Sequence, residues 1–471
     1  MLLRVLLVAA LLLVAASNTR RGVLALILSC VLQDVIRKLD DAPGSGFLWT
    51  ALAGLVLIAT VVGLLLRGER RTLQASRADR LQGPLIALVV IVLLQAVVAY
   101  ARVKSLVVPL LGIAMYLFPL AALQVGLVVG RNRQTVERFL GFYVAVASVG
   151  LGAMLLSRAG ITHPLLHGIG KELVTYGEKI GVVRLEQGLF RAPEIAGWHA
   201  SMVLCICLYW AGQGRRRVWI PLMILAGLAA LWTGRRKWLL TPAVTFAVAH
   251  VGAAFVGLNR SRIAAGGLAA AVLLVGTGWF VVTTAGKGTI TGAHVARMTL
   301  MDGHATSRVS ALGAQGPVDV IRRVGWLGGG VGIAQQGTRH LAGRHAVEVA
   351  GWGAEGGLGQ ILAELGVPGL LVSLLVAWKV ASLLVRAIRR AARTHATAEG
   401  WFLLWGTATL LANALAFLLA KQAFGDPFVV GWLGLLAGCC VARAGHVMTP
   451  APPSTREAPY RLRVLTSPPA S

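Results

Sequence analysis

Acidic residues are scarce in this chain: 18 Asp and Glu stand against 45 Lys and Arg over 471 residues, and charged residues of both signs make up only 13%. A soluble domain carries about a quarter, so an ordinary water-facing surface is excluded. Cysteine is nearly absent. Cys30, Cys205, Cys207, Cys439 and Cys440 all fall in apolar runs, without metal-ligand spacing or neighbouring histidines. That argues against a disulfide framework and predicts small buried apolar side chains. The glycine-rich run GWLGGGVG at 325–332 lacks the GK[ST] ending and the strand-to-helix setting of a phosphate loop. A flexible connector in which backbone approaches backbone is expected there. No internal repeat is visible at a fixed period, and no pair of broken apolar segments in matching halves points to an inverted-repeat transporter.

What is abundant is apolar sequence: 56% of residues are hydrophobic and the mean hydropathy is +0.74. A bilayer core of about 30 Å needs roughly 20 such residues as a helix. Apolar segments suited to this recur at 2–17, 22–36, 46–66, 83–100, 105–130, 139–156, 197–212, 217–233, 237–257, 263–284, 367–385, 400–420 and 427–444. The expected fold is all-α, a polytopic transmembrane bundle of thirteen spans, or twelve if the short second segment does not cross. The first segment reads as an uncleaved helix rather than a signal peptide. The chain divides into an N-terminal bundle at 1–284 with a loop at 158–196, a large polar loop with short helices at 285–366, C-terminal spans at 367–444, and a Pro-rich tail at 445–471. The tail composition predicts disorder.

A net charge of +27 does not call for nucleic acid here, because arginines in short loops are first of all topology signals. Odd-numbered connections carry 19 Lys and Arg, and the short even-numbered ones carry 8. The excess places odd connections in the cytoplasm, with the N-terminus and both long loops outside. Three external segments are then basic against the usual bias.

Each of those segments holds candidate site residues. RLEQGLFRAPEIAGWHA at 184–200 sets Arg191 and Glu194 just above a span, with Pro193 suited to a first helical turn. This is either an interfacial anchor or an arginine placed to grip a phosphate, which its planar, permanently charged fork suits. LWTGRRKWLL at 231–240 squeezes Arg235, Arg236 and Lys237 between two spans. Either they snorkel or one points inward as a functional charge, and Trp232 and Trp238 fit an interfacial belt in both cases. In the large loop, ATSRVSAL puts Arg308 at the start of an amphipathic helix running through VDVIRRV. TRHLAGRHAVEV adds Arg339, His340, Arg344 and His345, and histidine is the usual general base near neutral pH. Glu355 and Glu364 follow nine residues apart. On one continuous helix they would face opposite ways.

The order and spacing of these pieces resembles the O-antigen ligase and O-antigen polymerase family of bacterial membrane glycosyltransferases. The matching pieces are Arg191 before a span, the Thr233–Lys237 turn, Ser307-Arg308, the glycine-rich Trp326–Gly332 and the run Glu355–Gly369 with its QILAELGVPG. The resemblance covers roughly 185–440. It implies transfer or polymerisation of glycan units from an undecaprenyl-diphosphate carrier onto a glycan or lipid-glycan acceptor, at the outer face of the bacterial inner membrane. No metal or other cofactor is implied. Arg191, Arg235, Arg236 and Arg308 would bind the diphosphate. Glu355 stands where the family has histidine, so the base is Glu355, His340 or His345. The lipid bilayer is a partner, with polysaccharide export or chain-length machinery as another. A flippase of lipid-linked glycans without chemistry is the alternative reading. It should need charges deep within several spans, and Asp34 is the acid well inside an early one.

Overall fold

The computed structural model describes residues 2–39, 49, 51–67, 79–166, 174–177, 181–214, 219–235, 237–257, 316–335, 338 and 356–449. Among them are thirteen α-helices. In chain order they are α1 (Leu2–Ser17), α2 (Thr19–Lys38), α3 (Leu52–Leu66), α4 (Asp79–Val103), α5 (Val107–Val129), α6 (Arg133–Arg158), α7 (Pro193–Ala211), α8 (Trp219–Trp232), α9 (Lys237–Phe255), α10 (Gly316–Val324), α11 (Gly357–Arg393), α12 (Thr397–Leu419) and α13 (Pro427–Met448). Twelve of these coincide with predicted spans, and α10 covers the VDVIRRV end of the amphipathic helix expected in the large loop. Eight are long and apolar enough to cross a membrane, and α1, α3 and α8 are shorter apolar helices. The tenth predicted span, 263–284, lies outside the described residues. One feature departs from an all-helical chain. Between α6 and α7, β1 (Val174–Gly177) and β2 (Gly181–Arg184) form an antiparallel hairpin with Val174 opposite Arg184. Of the large loop expected at 285–366, the described parts are 316–335, 338 and the stretch from 356.

The core is built around α7, whose apolar window is 89% buried, whereas that of α4 is 17% buried and forms the periphery. Indole N–H groups need acceptors when buried, and α7 and α12 supply them to each other. Trp198 donates to Asn413 Oδ1 at 2.8 Å, Trp405 to the Cys205 carbonyl at 2.7 Å and Trp401 to the Tyr209 carbonyl at 3.2 Å. Trp238, expected in an interfacial belt, is instead fully buried. Helices α5 and α13 meet through Gly126 and Gly130 on one side and Gly434 and Gly438 on the other, where any Cβ would collide with the facing backbone. Two such small-residue pairs let helix backbones touch, the usual way to pack helices when lipid removes the hydrophobic driving force. All five cysteines are free and buried, as their apolar settings predict.

Contacts sort the connections onto two faces. On one, Arg67 donates to the Ala16 carbonyl at 2.6 Å and to Thr19 Oγ1 at 3.0 Å, while Arg443 joins Glu399 at 2.7 Å and the Arg131 carbonyl at 2.7 Å. These are the odd connections. On the other, Lys38 donates to the Gly188 carbonyl at 2.8 Å, Lys237 to Gln422 at 2.7 Å and Lys421 to the Ala334 carbonyl at 2.8 Å. These are the even ones. Because the native cysteines are buried, single introduced thiols should report cleanly on this division. Ser105→Cys on the even face and Arg389→Cys on the odd face are expected to respond oppositely to an impermeant thiol reagent before and after permeabilisation. Labelling of both from the same side would contradict the arrangement.

Helix α11 is broken at Gly366 (φ 68, ψ −169) just ahead of Pro368. The glycine-rich run docks against this break. Val367 N–H reaches the Trp326 carbonyl at 2.9 Å and Gly329 N–H the Ala363 carbonyl at 2.7 Å. The run then enters the bundle: Val331 N–H bonds the Gln95 carbonyl at 3.1 Å, and Gln95 Nε2 the Leu327 carbonyl at 2.5 Å. Gln95 lies eight residues before the end of α4, about 12 Å along the helix. Non-helical backbone at that depth is tolerated where protein buries it. Backbone does approach backbone here, as expected, but the run is held rather than a flexible connector.

Candidate functional site

On the even face, four segments converge: the end of α2, residues 185–192, the α8–α9 turn and the short 3₁₀ turn Gln422–Gly425 between α12 and α13. Arg191 is the node. Its guanidinium lies 2.9 Å from Asp34 and 2.5 Å from Asp426, and its backbone N–H donates to Asp34 at 3.0 Å. Gln33 donates to Asp426 at 3.2 Å. Asp426 also caps α13 through the Phe428 and Val429 N–H groups, at 2.7 and 3.2 Å. Burial opposes the charge on Arg191, but Asp426 and Asp34 outweigh it and hold the guanidinium above its ordinary pKa. It therefore stays cationic at any accessible pH. Below it lies an aromatic stack of Phe190, His199, Tyr143 and Phe428, in which Tyr143 and His199 Nδ1 are 2.9 Å apart.

Arg235, in the α8–α9 turn, lies 2.6 Å from Glu194 in the first turn of α7. Pro193 occupies that first turn as the sequence predicts. Lys237 sits over the Trp238 ring and donates to Gln422. Two buried guanidinium N–H groups here, Arg37 Nε and Arg235 Nε, have no hydrogen-bond partner among the described residues. Buried donors without acceptors are uncommon and costly. Among the described residues, five cations (Arg37, Lys38, Arg191, Arg235 and Lys237) interact here with three carboxylates (Asp34, Asp426 and Glu194), an excess of two positive charges in that described set.

Glu364 does not face Arg235. It is fully buried beside the inserted run, accepting from Ala334 N–H at 3.0 Å and Gln335 Nε2 at 3.2 Å. The Tyr116 hydroxyl lies beside it without completing a hydrogen bond. Next to this carboxylate, between α5, α11, α12 and α13, is a largely apolar cavity of about 300 Å³. Met115, Leu410, Phe417 and Leu433 line its walls with Gln335 and Gln360, and Phe424 lines it from the 3₁₀ turn whose Gln422 accepts from Lys237.

Sequence reasoning set Arg191, Arg235, Arg236 and Arg308 around one diphosphate, with Glu194 as a further candidate; the structure pairs Arg191 with Asp34 and Asp426, and Arg235 with Glu194. The same reasoning counted Arg37, Lys38 and Lys421 as topology signals and passed over Asp426. The signal for Asp426 was its place before Pro427 at a span start, a helix-cap pattern. Arg236, Arg308, Arg339, His340, His345 and Glu355 lie outside the described residues. Helix α11 begins at Gly357, so Glu355 and Glu364 do not share one described helix. Among the described residues no cluster of His, Cys, Asp and Glu fits a metal ion. No protein-family model matches the chain, and no curated protein matches it.

Proposed function

We propose that the protein is an O-antigen-ligase-like or polymerase-like membrane glycosyltransferase that takes its glycan from a polyprenyl-diphosphate carrier at the outer face of the inner membrane. The observation that carries this reading is a cationic cluster with unpartnered guanidinium donors beside an apolar cavity. A cation-rich head site next to an apolar slot suits an amphiphile, and the excess of positive charge among the described residues suits a diphosphate diester. The even face would be the periplasmic one, the side that the loop charges favour.

In the proposed reaction the acceptor hydroxyl attacks the anomeric carbon of the donor sugar. The bond from that carbon to the diphosphate oxygen breaks, the oxygen keeps the electron pair, and the hydroxyl proton passes to a base. Arg235, with Arg37 and Lys237, would stabilise the charge growing on the diphosphate, the role that fixed cations perform best. Arg236 and Arg308 remain proposed additions from the turn and the large loop. Arg191 has its charge answered by two carboxylates, so it would hold the cluster together and meet the diphosphate with its remaining edge. The base is proposed among Glu355, His340 and His345.

The test is turnover by the purified chain in proteoliposomes, with a lipid-diphosphate glycan and with or without an acceptor. Arg235→Glu should lower turnover about 100-fold or more while the protein remains folded. Arg235→Lys should rescue poorly, since a point charge does not replace a fork. Movement of the donor across the bilayer with no new glycosidic bond would instead make the protein a flippase. For the base, Glu355→Gln is expected to be inactive if the carboxylate takes the proton. Wild-type turnover in Glu355→Gln beside an inactive, folded His340→Ala or His345→Ala would move the role to histidine.

A further inference from the structure

Glu364 stands two residues before the break in α11, at the C-terminal end of a helical segment, where a negative charge is disfavoured. It is also fully buried. A carboxylate kept at both costs in a helix apolar enough to span a membrane is a functional candidate by default. Its oxygens are spent on the inserted run, Oε1 on Ala334 N–H at 3.0 Å and Oε2 on Gln335 Nε2 at 3.2 Å. From the other side, Lys421 Nζ donates to the Ala334 carbonyl at 2.8 Å. One residue of the run is therefore gripped at its N–H by an anion of α11 and at its carbonyl by a cation of the α12–α13 turn. The corner around it is stiff. The Gly332 carbonyl accepts from Gln335 N–H at 3.2 Å and from the Thr338 hydroxyl at 2.6 Å. Lys421 leads into a turn whose other members border the candidate site. Gln422 accepts from Lys237 at 2.7 Å, and Asp426 holds Arg191.

We propose that Glu364 is a positioning residue for the donor site. Acting through Ala334 and Lys421, it sets where the α12–α13 turn presents the Lys421 ammonium, and the Lys237 ammonium on Gln422, to the donor diphosphate. The role presupposes the proposed donor chemistry. Hydrogen bonds to ionised groups are shorter and stronger than neutral ones, so the two charged grips on Ala334 fix Lys421 more firmly than an apolar contact would. The sign of the effect is diagnostic. Removing a nearby anion should by itself favour a bound diphosphate, whereas losing the position of two cations should weaken it.

The experiment is isothermal titration calorimetry of the full chain in detergent, with farnesyl diphosphate and, separately, with farnesol. Glu364→Gln, nearly the same size, should weaken farnesyl diphosphate about tenfold and leave farnesol unchanged. A variant that merely disturbed the run, whose Gln335 lines the apolar cavity, would weaken both. Lys421→Met should give the same selective loss, and it reads the bridge even where Glu364→Gln is unstable. In the Lys421→Met background, Glu364→Gln should add less than about twofold, the non-additivity of residues in one network. Undiminished farnesyl diphosphate binding in either folded single variant, an equal loss of farnesol, or a full tenfold effect without Lys421 would each overturn the role while leaving the donor site standing. A parent chain that does not bind farnesyl diphosphate would overturn the donor site and the role together.

Discussion

Replacing Asp426 with Ala is expected to be the most damaging single change in the described protein. The substitution leaves the Arg191 guanidinium, fixed 2.5 Å from that carboxylate, with Asp34 alone. Removing one partner from a largely buried ion cluster costs about 3–5 kcal/mol, because the remaining charge, only 14% exposed, has little water to turn to. Loss of the cap on α13, where Asp426 accepts from two N–H groups, adds about 1 kcal/mol. Asp426→Asn should be milder, since an amide oxygen still caps the helix. Arg191→Met made together with Asp34→Asn and Asp426→Asn should recover part of the loss, because the unpaired charge goes with its partners. Thermal unfolding in detergent reads all of these. A midpoint for Asp426→Ala within about 2 °C of the parent would contradict the role assigned to the cluster.

The second large effect is expected at the inserted glycine run. Gly366 has a φ and ψ that only glycine adopts readily, and a Cβ there would strike the Trp326 carbonyl and the Leu327 backbone. Gly330 (φ 112) lies against the backbone of Ala99 in α4. Gly366→Ala and Gly330→Val should each cost about 2–5 kcal/mol, combining backbone strain with overpacking against backbone that cannot yield. The damage should be local first. The run would lift away from α4 and α11, and the amides of Gly329 and Val331, which bond the Ala363 and Gln95 carbonyls, would lose protection from hydrogen exchange. Because Gln335 lines the apolar cavity and is held by Glu364, turnover should fall with that protection. Protected amides and parental turnover in Gly366→Ala would show that the run is not held by this docking.

The sequence makes the helices legible for a simple reason. A span must be a long apolar run, so its position is written locally. The break in α11 was equally local, because Gly366-Val367-Pro368 cannot continue a helix undisturbed. The charged site was legible only in part. Asp34 stood out as an acid in a span, and Arg191 as an arginine before one. Their pairing with Asp426 joins opposite ends of the chain, and no spacing rule reaches that far. The glycine run shows the converse limit. Glycines announce that backbone will come close, but not to what. A loop that folds back into a bundle has the same composition as one that stays outside. The facing glycine pairs of α5 and α13 were written in the sequence as GLVVG and GLLAG. They became interpretable once the two helices were seen in contact.

The central claim is that the cationic cluster and the neighbouring apolar cavity hold the two ends of one lipid diphosphate. Cryo-electron microscopy of the purified chain with a polyprenyl diphosphate tests it directly. The account predicts diphosphate density within hydrogen-bond reach of Arg235 and the unpartnered Nε of Arg37, with the isoprenoid chain running between Met115, Phe417 and Leu433. Diphosphate density on the opposite face, or a chain bound away from that cavity with the cluster unchanged, would contradict it.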